Sequence, residues 1–472
     1  MKKQVAYNLA DFIRQASFKN LSREVITGLK IHILDSIGCA LGALGASQSS
    51  PVVIIREYMD EFGGPPYCSM IGGGKVAPCD AAFFNSALVR YLDFNDSFIA
   101  KGETCHPSDN LGALLSVGQY VDGDGKDLLV ALAVAYQVQC RLCELAPLRD
   151  RGFDNSTHGS YATVAGISKM LGLDAGQIVN AIGIAGVSHN TLRVLRTGSP
   201  SHWNGLAYAD TALGAVRAAF LAMGSVTGPA DIFEGRKGFM EVISGEFNID
   251  WKMEKLDAVL RTSIKRYNAE IHAQSAIEGM LELRNKSRFR AEDVERVDAE
   301  IFDVALEVIG GSDYMISTKI SMKEQADHSL NYLLSVALID GQVMPEQFRE
   351  GRLHSDEVAT LMEKIKVKPS AYYSARFPAE LPVLIVVTLK NGMSFKIEKN
   401  DYEGFVTRPA TWRFVENKFH RLAEAYIDAK HRYELVDFIS HLEAKKIVDL
   451  MSLLETGLET VIGELPHAKA AS

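Results

Sequence analysis

The 472-residue sequence has few cysteines and lacks the blocks of basic residues that bind nucleic acid. Six cysteines in a chain of this length do not indicate a disulfide framework, so we expect free thiols. Lys and Arg number 50 against 59 Asp and Glu, which gives a formal net charge of -9. Without a Lys/Arg cluster to meet a phosphate backbone, nucleic acid is not an expected partner.

Long apolar runs and an apolar secretory signal are also missing. No segment approaches the ~18 uninterrupted apolar residues of a membrane span, and the first residues, MKKQVAYNLADFIRQ, are typical of an amphipathic helix. We therefore predict a soluble, cytoplasmic protein with no membrane partner. The negative net charge would repel an anionic substrate, so the site of such a substrate should be locally basic.

Three short motifs resemble cofactor or metal sites, but each lacks an essential residue. The Gly-Gly-Gly-Lys run at 72–75 is not followed by the Ser or Thr of a phosphate loop, and the acidic run at 122–127 lacks the bidentate Glu of a calcium loop. The C-x-x-C at 140–143 lies in an apolar helical run, which favours packing. The sequence also contains no H-E-x-x-H and no G-x-S-x-G. We therefore predict no metal and no cofactor.

Chain length and patterning predict two domains, because a hydrophobic core stops growing at roughly 250 to 300 residues. Residues 1–266 show apolar positions at helical spacing and many small residues, which let helices approach closely. Residues 267–408 include the strand-like VERVDAEIF and two β-runs joined by Asn391-Gly392, a strong hairpin signal. Residues 409–472 return to amphipathic helix. We predict a mostly α fold, with a large helical domain completed by the C-terminal helices and a smaller α+β domain inserted.

Polar side chains collect in YLDFNDSFIAKGETCHPSDN, between two apolar helical runs. Such a junction often only caps helices, and Ser108 or Asp109 is a natural N-cap for a helix that begins near Leu111. The residue before a proline prefers an extended backbone, which would aim His106 toward an open cleft. Other histidines lie in mixed or apolar segments, where a lone histidine is more often a core residue. Several together indicate acid-base chemistry. These other histidines are His158, His202, His272 and His328.

Six segments, in this order, resemble the MmgE/PrpD family over essentially the whole chain. They are LDSIGCALGA, YLDFNDSFIAKGETCHPSDNLGALL, SKMLGL, GLAYADTALGAVRAAFLAMGSVTGP, IKRYNAEIHAQSAIE and QADHSLNYLLSVALIDG. The resemblance implies a large helical domain, a smaller α+β lid domain, a homodimer and an active site between the domains without a metal. Members of the family include 2-methylcitrate dehydratase, cis-aconitate decarboxylase and an iminodisuccinate epimerase, which all form or protonate a carbanion beside a carboxylate.

The resemblance also implies site residues. Asp93 and His106 match the family's active-site Asp and HPS histidine, and Ser97 stands where Thr is usual. His272 matches the histidine of the lid domain. Two arginines in NTLRVLRTGSPSHW resemble those that grip carboxylates in the dehydratase branch. These arginines are Arg193 and Arg196, and we expect them to bind substrate together with Ser97.

Two positions depart from the family pattern. Asn204 stands where many relatives have Lys, and Asn155 stands where relatives often have His, with His158 three residues further on. His158 is therefore a fourth catalytic candidate, and His202 joins Asn204 among the candidate substrate contacts. If Asn204 replaces an ammonium group, then Asn204→Lys should strengthen the binding of a tricarboxylate. If the natural substrate instead has fewer carboxylates or a differently placed one, Asn204 is an adaptation and the same substitution should lower activity.

Together the residues and the resemblance predict a cofactor-independent hydro-lyase acting on a small hydroxy-polycarboxylate such as 2-methylcitrate by carbanion-type β-elimination. His106 or His272 would be the base, with the other or a bound water as the acid. Asp93 would orient the imidazole, and preorganised donors would stabilise the enediolate. Decarboxylation or epimerisation in the same pocket is the alternative chemistry. Asn155 and Asn204 favour a third alternative, a degenerate homologue that only binds a polycarboxylate.

Overall fold

The computed structural model describes residues 5–45, 50–197, 201–310 and 320–455. The first four residues of the predicted N-terminal helix lie outside the described residues. The same holds for the GSP that precedes Ser201 and for the end of the C-terminal stretch.

The first part of the chain is helical, as the spacing of its apolar residues predicts. Its helices are Val5–Gln15, Arg23–Ala43, Pro51–Phe62, Pro78–Tyr91, Leu111–Tyr120, Gly125–Leu145, Ser156–Met170, Ala175–Ser188, Val194–Thr197 and Trp203–Met223. Short 3-10 or π turns are Phe18–Asn20, Pro107–Asn110, Arg149–Arg151, Met240–Ser244, Trp251–Met253 and Ala258–Arg261. Two small antiparallel hairpins are Cys68–Ser69 with Lys75–Val76 and Phe98–Ile99 with Thr104–Cys105.

Small residues allow these helices to pack at short range. A Cβ added to Gly112 would lie 2.3 Å from the backbone nitrogen of Ser86, and one added to Gly38 would lie 3.2 Å from the Cα of Phe419. The first contact joins consecutive α-helices and leaves no room for a larger residue. The second joins helices far apart in the chain and is tight. The expectation that small residues bring helices close together is confirmed at these positions.

Three of these helices are long and apolar enough, by length and composition, to cross a membrane. They are Arg23–Ala43, Gly125–Leu145 and Trp203–Met223, and 78%, 83% and 67% of their apolar windows are buried inside the protein. The expectation that no segment approaches such a span was therefore wrong. Most of this apolar surface is used in packing against neighbouring helices.

The second part combines a sheet with helices. Its four strands lie in the order Ile365–Pro369, Val294–Ile301, Val383–Leu389, Ser394–Lys399, with the first pair parallel and the others antiparallel. The predicted strand at VERVDAEIF and the hairpin at Asn391-Gly392 are confirmed. The helices are Gln274–Ser287, Asp303–Ile309, Lys323–Ala326, Leu330–Asp340, Glu350–Leu353, Asp356–Met362 and Ala371–Ser374, with 3-10 turns at Ile271–Ala273, Ala291–Asp293 and Pro345–Phe348.

The C-terminal helices return to the first part of the chain. They are Trp412–Ala423, Ala429–Ser440 and Ile447–Glu455, with a 3-10 turn at Leu442–Ala444. Apolar side chains from them join those of 6–264 in one buried core, while residues 267–405 form a second core. Lys418 connects the C-terminal helices to the earlier part of the chain, because its ammonium donates to the carbonyl oxygens of Phe94 and Lys265 at 2.6 and 2.9 Å.

The short motifs have the structural roles that the sequence favours. The three glycines at 72–74 have positive φ angles and form the turn of the first small hairpin. Asp124 caps the helix Gly125–Leu145 by accepting from the backbone of Lys126 and Asp127. Cys140 and Cys143 are buried in the first core, and both are free thiols.

Candidate active site

A pocket of about 200 Å³ lies between the two buried cores and receives side chains from both. Larger clefts of 560 and 860 Å³ lie elsewhere, but no histidine stands among their lining residues. The expected excess of positive charge is not found, because arginines and carboxylates line the pocket together. Its charged and imidazole-bearing residues are Arg90, Arg149, Arg193, Arg196, His106, His272, His328, Asp93, Glu103, Glu270, Glu307 and Glu324.

His106 lies in the wall of this pocket, directly before the 3-10 turn Pro107–Asn110. Its Nδ1 atom is 2.7 Å from the carbonyl oxygen of Asp96, which can only accept a hydrogen bond, so Nδ1 carries the proton of the neutral ring. The Asp96 carboxylate is itself held by the side chains of His32, Tyr136 and Ser108. This arrangement leaves Nε2 of His106 as the basic nitrogen.

The charges around His106 keep it neutral. Burial, together with the positive charges of Arg90 and Lys265, lowers the pKa of His106 to about 3, although Asp93 opposes the shift. A group whose pKa lies far below neutrality is unprotonated at pH 7 and is able to accept a proton. Ser108 and Asp109 do not act as the predicted N-cap, because they bond to Asp96 and Asn95 instead.

Asp93 does not orient the imidazole of His106, which corrects the predicted role. Its carboxylate accepts from the guanidinium of Arg90 and from the ammonium of Lys265, the latter at 2.6 Å. Burial alone would raise the pKa of Asp93, but these two cations hold it well below its usual range. The backbone of Asp93 is left-handed, with a φ of 53°, a strained conformation that recurs at functional sites.

His272 enters the pocket from the second core. Its Nδ1 lies 2.7 Å from a carboxylate oxygen of Glu270, whose pKa falls to about 2 because the hydrogen bond and attraction from His272, with the attraction from His328, outweigh the effect of burial. An ionised carboxylate can only accept, so Nδ1 of His272 is protonated as well. The ring lies beside Phe302 and Phe377, with centroid distances of 5.6 and 5.7 Å. Its Nε2 is buried without a hydrogen-bond partner.

The two predicted arginines differ in how many hydrogen bonds they already make within the protein. Arg196 donates to the buried carboxylate of Asp154 at 2.8 Å and to both the backbone and side-chain oxygens of Asn204. Arg193 is 3.9 Å from the same carboxylate, and its Nε has no hydrogen-bond partner. Arg193 is therefore the freer of the two to meet a substrate carboxylate. Asn204 lines the pocket, but its side-chain oxygen is engaged with Arg196.

Three of the predicted residues lie away from the pocket lining. His158 is fully buried among the helices, where Nε2 donates to the carbonyl of Ala146 at 2.8 Å and burial lowers its pKa to about 4. His202 is exposed at the surface. Ser97 is buried behind His106, with its hydroxyl 3.0 Å from Nδ1 of that ring, so it supports the imidazole instead of binding a carboxylate.

The pocket also contains residues that the sequence reasoning did not assign. Arg149 carries an Nε without a partner, and Arg90 and Lys265 neutralise Asp93. Glu270 and His328 also line the pocket, and both lie within segments that carry the family resemblance. A charged residue inside an apolar helix, as Arg90 is, was the available signal. Lys265 stands in the quoted segment IKRYNAEIHAQSAIE, but its contact with Asp93 was not predictable, since the two residues are 172 positions apart in the chain.

One group in the pocket has the spacing of a metal site. Within the described chain, Asp93, Asp327 and His328 bring ligand atoms within 4.8 Å of one another. Their charges do not suit a cation, because Arg90 and Lys265 already bond to Asp93, and Lys323 lies 2.5 Å from Asp327. A divalent ion placed here would meet three positive side chains at short range.

Anchored imidazoles beside guanidinium groups, enclosed between two cores, are the side chains that acid-base chemistry on an acidic substrate requires. The chain belongs to the MmgE/PrpD family, since the family's N-terminal domain matches residues 7–252 and its C-terminal domain matches residues 267–443. This confirms the resemblance read from the sequence and the mostly α fold with a smaller α+β part.

Curated relatives cover most of the chain. The probable 2-methylcitrate dehydratase of Saccharomyces cerevisiae is 25% identical over an alignment that covers 95% of this chain and 92% of that protein. The 2-methylcitrate dehydratase of Salmonella typhi is 27% identical over 71% of each chain. Alkylcitrate dehydratase phiI of a fungal species is 25% identical over 83% of this chain and 82% of its own length. The protein is accordingly an enzyme of the hydro-lyase type.

Proposed function

We propose that this protein removes water from a small hydroxy-polycarboxylate of the alkylcitrate class, such as 2-methylcitrate. The observation that carries the proposal is the pairing of His106 and His272, whose Nδ1 atoms are both anchored, with guanidinium groups in one pocket. The volume of about 200 Å³ suits a small acid. The names of the curated relatives support the same substrate class.

The base in this mechanism is His106. Its Nε2 accepts the proton from the carbon beside a substrate carboxylate, which leaves a carbanion delocalised into that carboxylate as an enediolate. The lowered pKa of His106 keeps its imidazole unprotonated over the physiological range, so Nε2 is open to a proton. The negative charges of a bound polycarboxylate would raise this pKa toward the working pH and make the ring a better base. Positive side chains placed in advance around the developing charge lower the barrier more than they would in water.

Substrate carboxylates are held by Arg149 and Arg193 in this proposal. Both guanidinium groups line the pocket and both have an Nε that lacks a partner. An arginine fork can bind a carboxylate through two parallel hydrogen bonds, which fixes orientation as well as charge. Arg196 stays bound to Asp154 and Asn204 and supports the wall of the site.

A panel of acids tests the proposal and separates it from the other reactions of the family. Purified protein would be incubated with 2-methylcitrate, citrate, cis-aconitate and iminodisuccinate. The ultraviolet absorbance of an unsaturated acid, released carbon dioxide and optical rotation would be followed. We expect dehydration of an alkylcitrate. Decarboxylation or epimerisation as the sole reaction would contradict it, and binding without turnover of any acid would identify a degenerate homologue.

A further prediction concerns metal ions. Because three cations already neutralise the acidic cluster in the pocket, we expect the rate of dehydration to survive exhaustive dialysis against a chelator. The rate would be measured before dialysis, after dialysis and after addition of zinc, iron or magnesium. A loss that one of these ions restores would contradict the acid-base mechanism proposed here.

A further inference from the structure

A third imidazole lies in the pocket and differs electrostatically from the other two. His328 lines the pocket just before the helix Leu330–Asp340, and its Nδ1 is 2.6 Å from a carboxylate oxygen of Asp327. The side chain of His328 is 17% exposed, whereas that of His272 is 1% exposed. His328 therefore reaches the pocket with Nε2 while Asp327 holds Nδ1.

Charges from several elements surround this ring. Asp327 precedes it in the chain, Asp93 faces it from the first core, and Glu270 faces it from the turn before His272. Burial alone would lower the pKa of His328, but these three carboxylates together raise it above its ordinary value. The nearby cations are engaged with the same carboxylates, and they are Lys323 at Asp327 and Arg90 and Lys265 at Asp93.

The pocket therefore contains imidazoles with opposite tendencies. The pKa of His106 is lowered by burial and by neighbouring cations, whereas that of His328 is raised by neighbouring carboxylates. A dehydratase needs such a pair, because one group must accept a proton from carbon and another must hold a proton for the departing hydroxyl. Environments that push the pKa values of two groups apart indicate which is the base and which is the acid.

We infer that His328 is the general acid of this site and that Asp327, held in place by Lys323, positions it. The inference rests on the proposed dehydration and adds a residue and a role to it. When the bond from carbon to the hydroxyl oxygen breaks, the oxygen keeps the electron pair and takes the Nε2 proton of His328, and water leaves. The α-carbon gives its proton to His106, and its electron pair forms the new double bond. The cycle closes when His106 releases that proton and His328 regains one.

Lys323 and Asp327 form a rigid support for this acid. The Lys323 ammonium lies 2.5 Å from the second oxygen of Asp327 and packs over the rings of Tyr91 and Phe348, 5.5 and 6.0 Å from their centroids. Lys323 and Asp327 are four residues apart, at the two ends of one helical turn. The Asp327 carboxylate is thus fixed from one side by an ammonium and bonds to the imidazole on the other. Such a contact orients the ring and favours its charged form.

A change of leaving group tests the acid directly. Hydroxide leaves poorly without a proton, whereas fluoride leaves readily as an anion. We expect His328→Gln to lower the dehydration of 2-methylcitrate by about 10²- to 10⁴-fold, the usual contribution of a general acid. The same variant should release fluoride near the wild-type rate from the analogue in which fluorine replaces the hydroxyl. His354→Gln, an exposed histidine of the same part of the chain, is the matched control and should behave as wild type on both substrates.

Equal losses on the two substrates, or full dehydration by His328→Gln, would overturn the assignment of the acid. Melting temperatures of the variants would accompany the rates, so that a folding defect is recognised. A wild-type protein that eliminates neither water nor fluoride would instead overturn the proposed function, and the role of His328 with it. If the wild type is active and His328→Gln dehydrates 2-methylcitrate at the same rate, the proposed dehydratase function stands and only the role of His328 as general acid is overturned.

The pH profile tests the positioning role of Asp327. Since the acid must be protonated, the rate falls as pH rises through the raised pKa of His328. Asp327→Asn removes the main charge that raises this pKa, so the descending limb should move to lower pH, and Asp327→Glu should restore part of the shift. The ascending limb, which the protonation of His106 sets, should stay in place, because Asp327 is not among the charges that shift the pKa of His106. A lower rate with an unmoved descending limb would show that Asp327 is only structural.

Discussion

Replacing His106 by Asn is expected to lower kcat by about 10²- to 10⁴-fold, with little change in melting temperature. The amide of Asn can still donate to the carbonyl oxygen of Asp96, which His106 contacts at 2.7 Å, so the local backbone keeps its partner. What the variant loses is the basic Nε2 atom. Steady-state kinetics on the best acid of the panel, together with thermal unfolding, measure both effects.

The same substitution at His158 is the matched control. His158 is as buried as any residue of the helical core, and its Nε2 donates to the carbonyl of Ala146. We expect His158→Asn to lower the melting temperature while kcat in the folded protein stays near the wild-type value. If His106→Asn were fully active, or if its activity loss matched a loss of folded protein, the base would have to be another group. A strong kcat defect in His158→Asn would reinstate its predicted catalytic role.

A lysine at position 204 is expected to harm the enzyme, which reverses the expectation drawn from the family pattern. The side-chain oxygen of Asn204 accepts from the guanidinium of Arg196, and a lysine can only donate. Two unit charges 4 Å apart repel by about 4 kcal/mol at an effective dielectric constant of ~20. Even a third of that corresponds to roughly tenfold, so we expect Asn204→Lys to lower kcat/KM by about tenfold or more.

Gly205→Lys is the control. It adds the same charge one residue away, and a side chain at position 205 would extend into open space. It should change kcat/KM far less than Asn204→Lys. Kinetics of both variants at low and high salt would be compared, since repulsion between partly exposed charges weakens as salt screens it. A gain in affinity for a tricarboxylate in Asn204→Lys alone would contradict this expectation. It would show that the lysine contacts the substrate and that Arg196 moves away from position 204.

Local features of the chain were enough to predict which segments form helices and strands. The apolar spacing in REVITGLKIHILDSIGCALGALG and the Asn391-Gly392 signal both led to the observed elements. They succeed because helix and hairpin formation depends on residues a few positions apart. The N-cap expected at Ser108 or Asp109 failed for the opposite reason. Tertiary partners, Asp96 and Asn95, take those side chains away from the helix end.

The candidate site was only partly predictable. His106, His272, Asp93 and Arg193 do line the pocket, and the family motifs pointed to each of them. Their catalytic roles, the homodimer, the role of the α+β domain as a lid and the cytoplasmic location stay predictions. His158 and His202 look equivalent to the others in the sequence, since a histidine in a mixed segment carries no mark of where its ring will lie. Packing placed one of them in the core and the other at the surface.

The sequence by itself determined the family, the order of the helices and strands, and the segment in which the polar chemistry collects. Only the tertiary structure decided which nitrogen of each imidazole is free and which groups are charged. The reason is that a pKa depends on every charge within a few ångströms. For Asp93 one of those charges belongs to Lys265, 172 residues away, and for His328 they come from both sides of the pocket. The folded chain brings these groups together, and their charges then shift the pKa values of His106 and His328 in opposite directions.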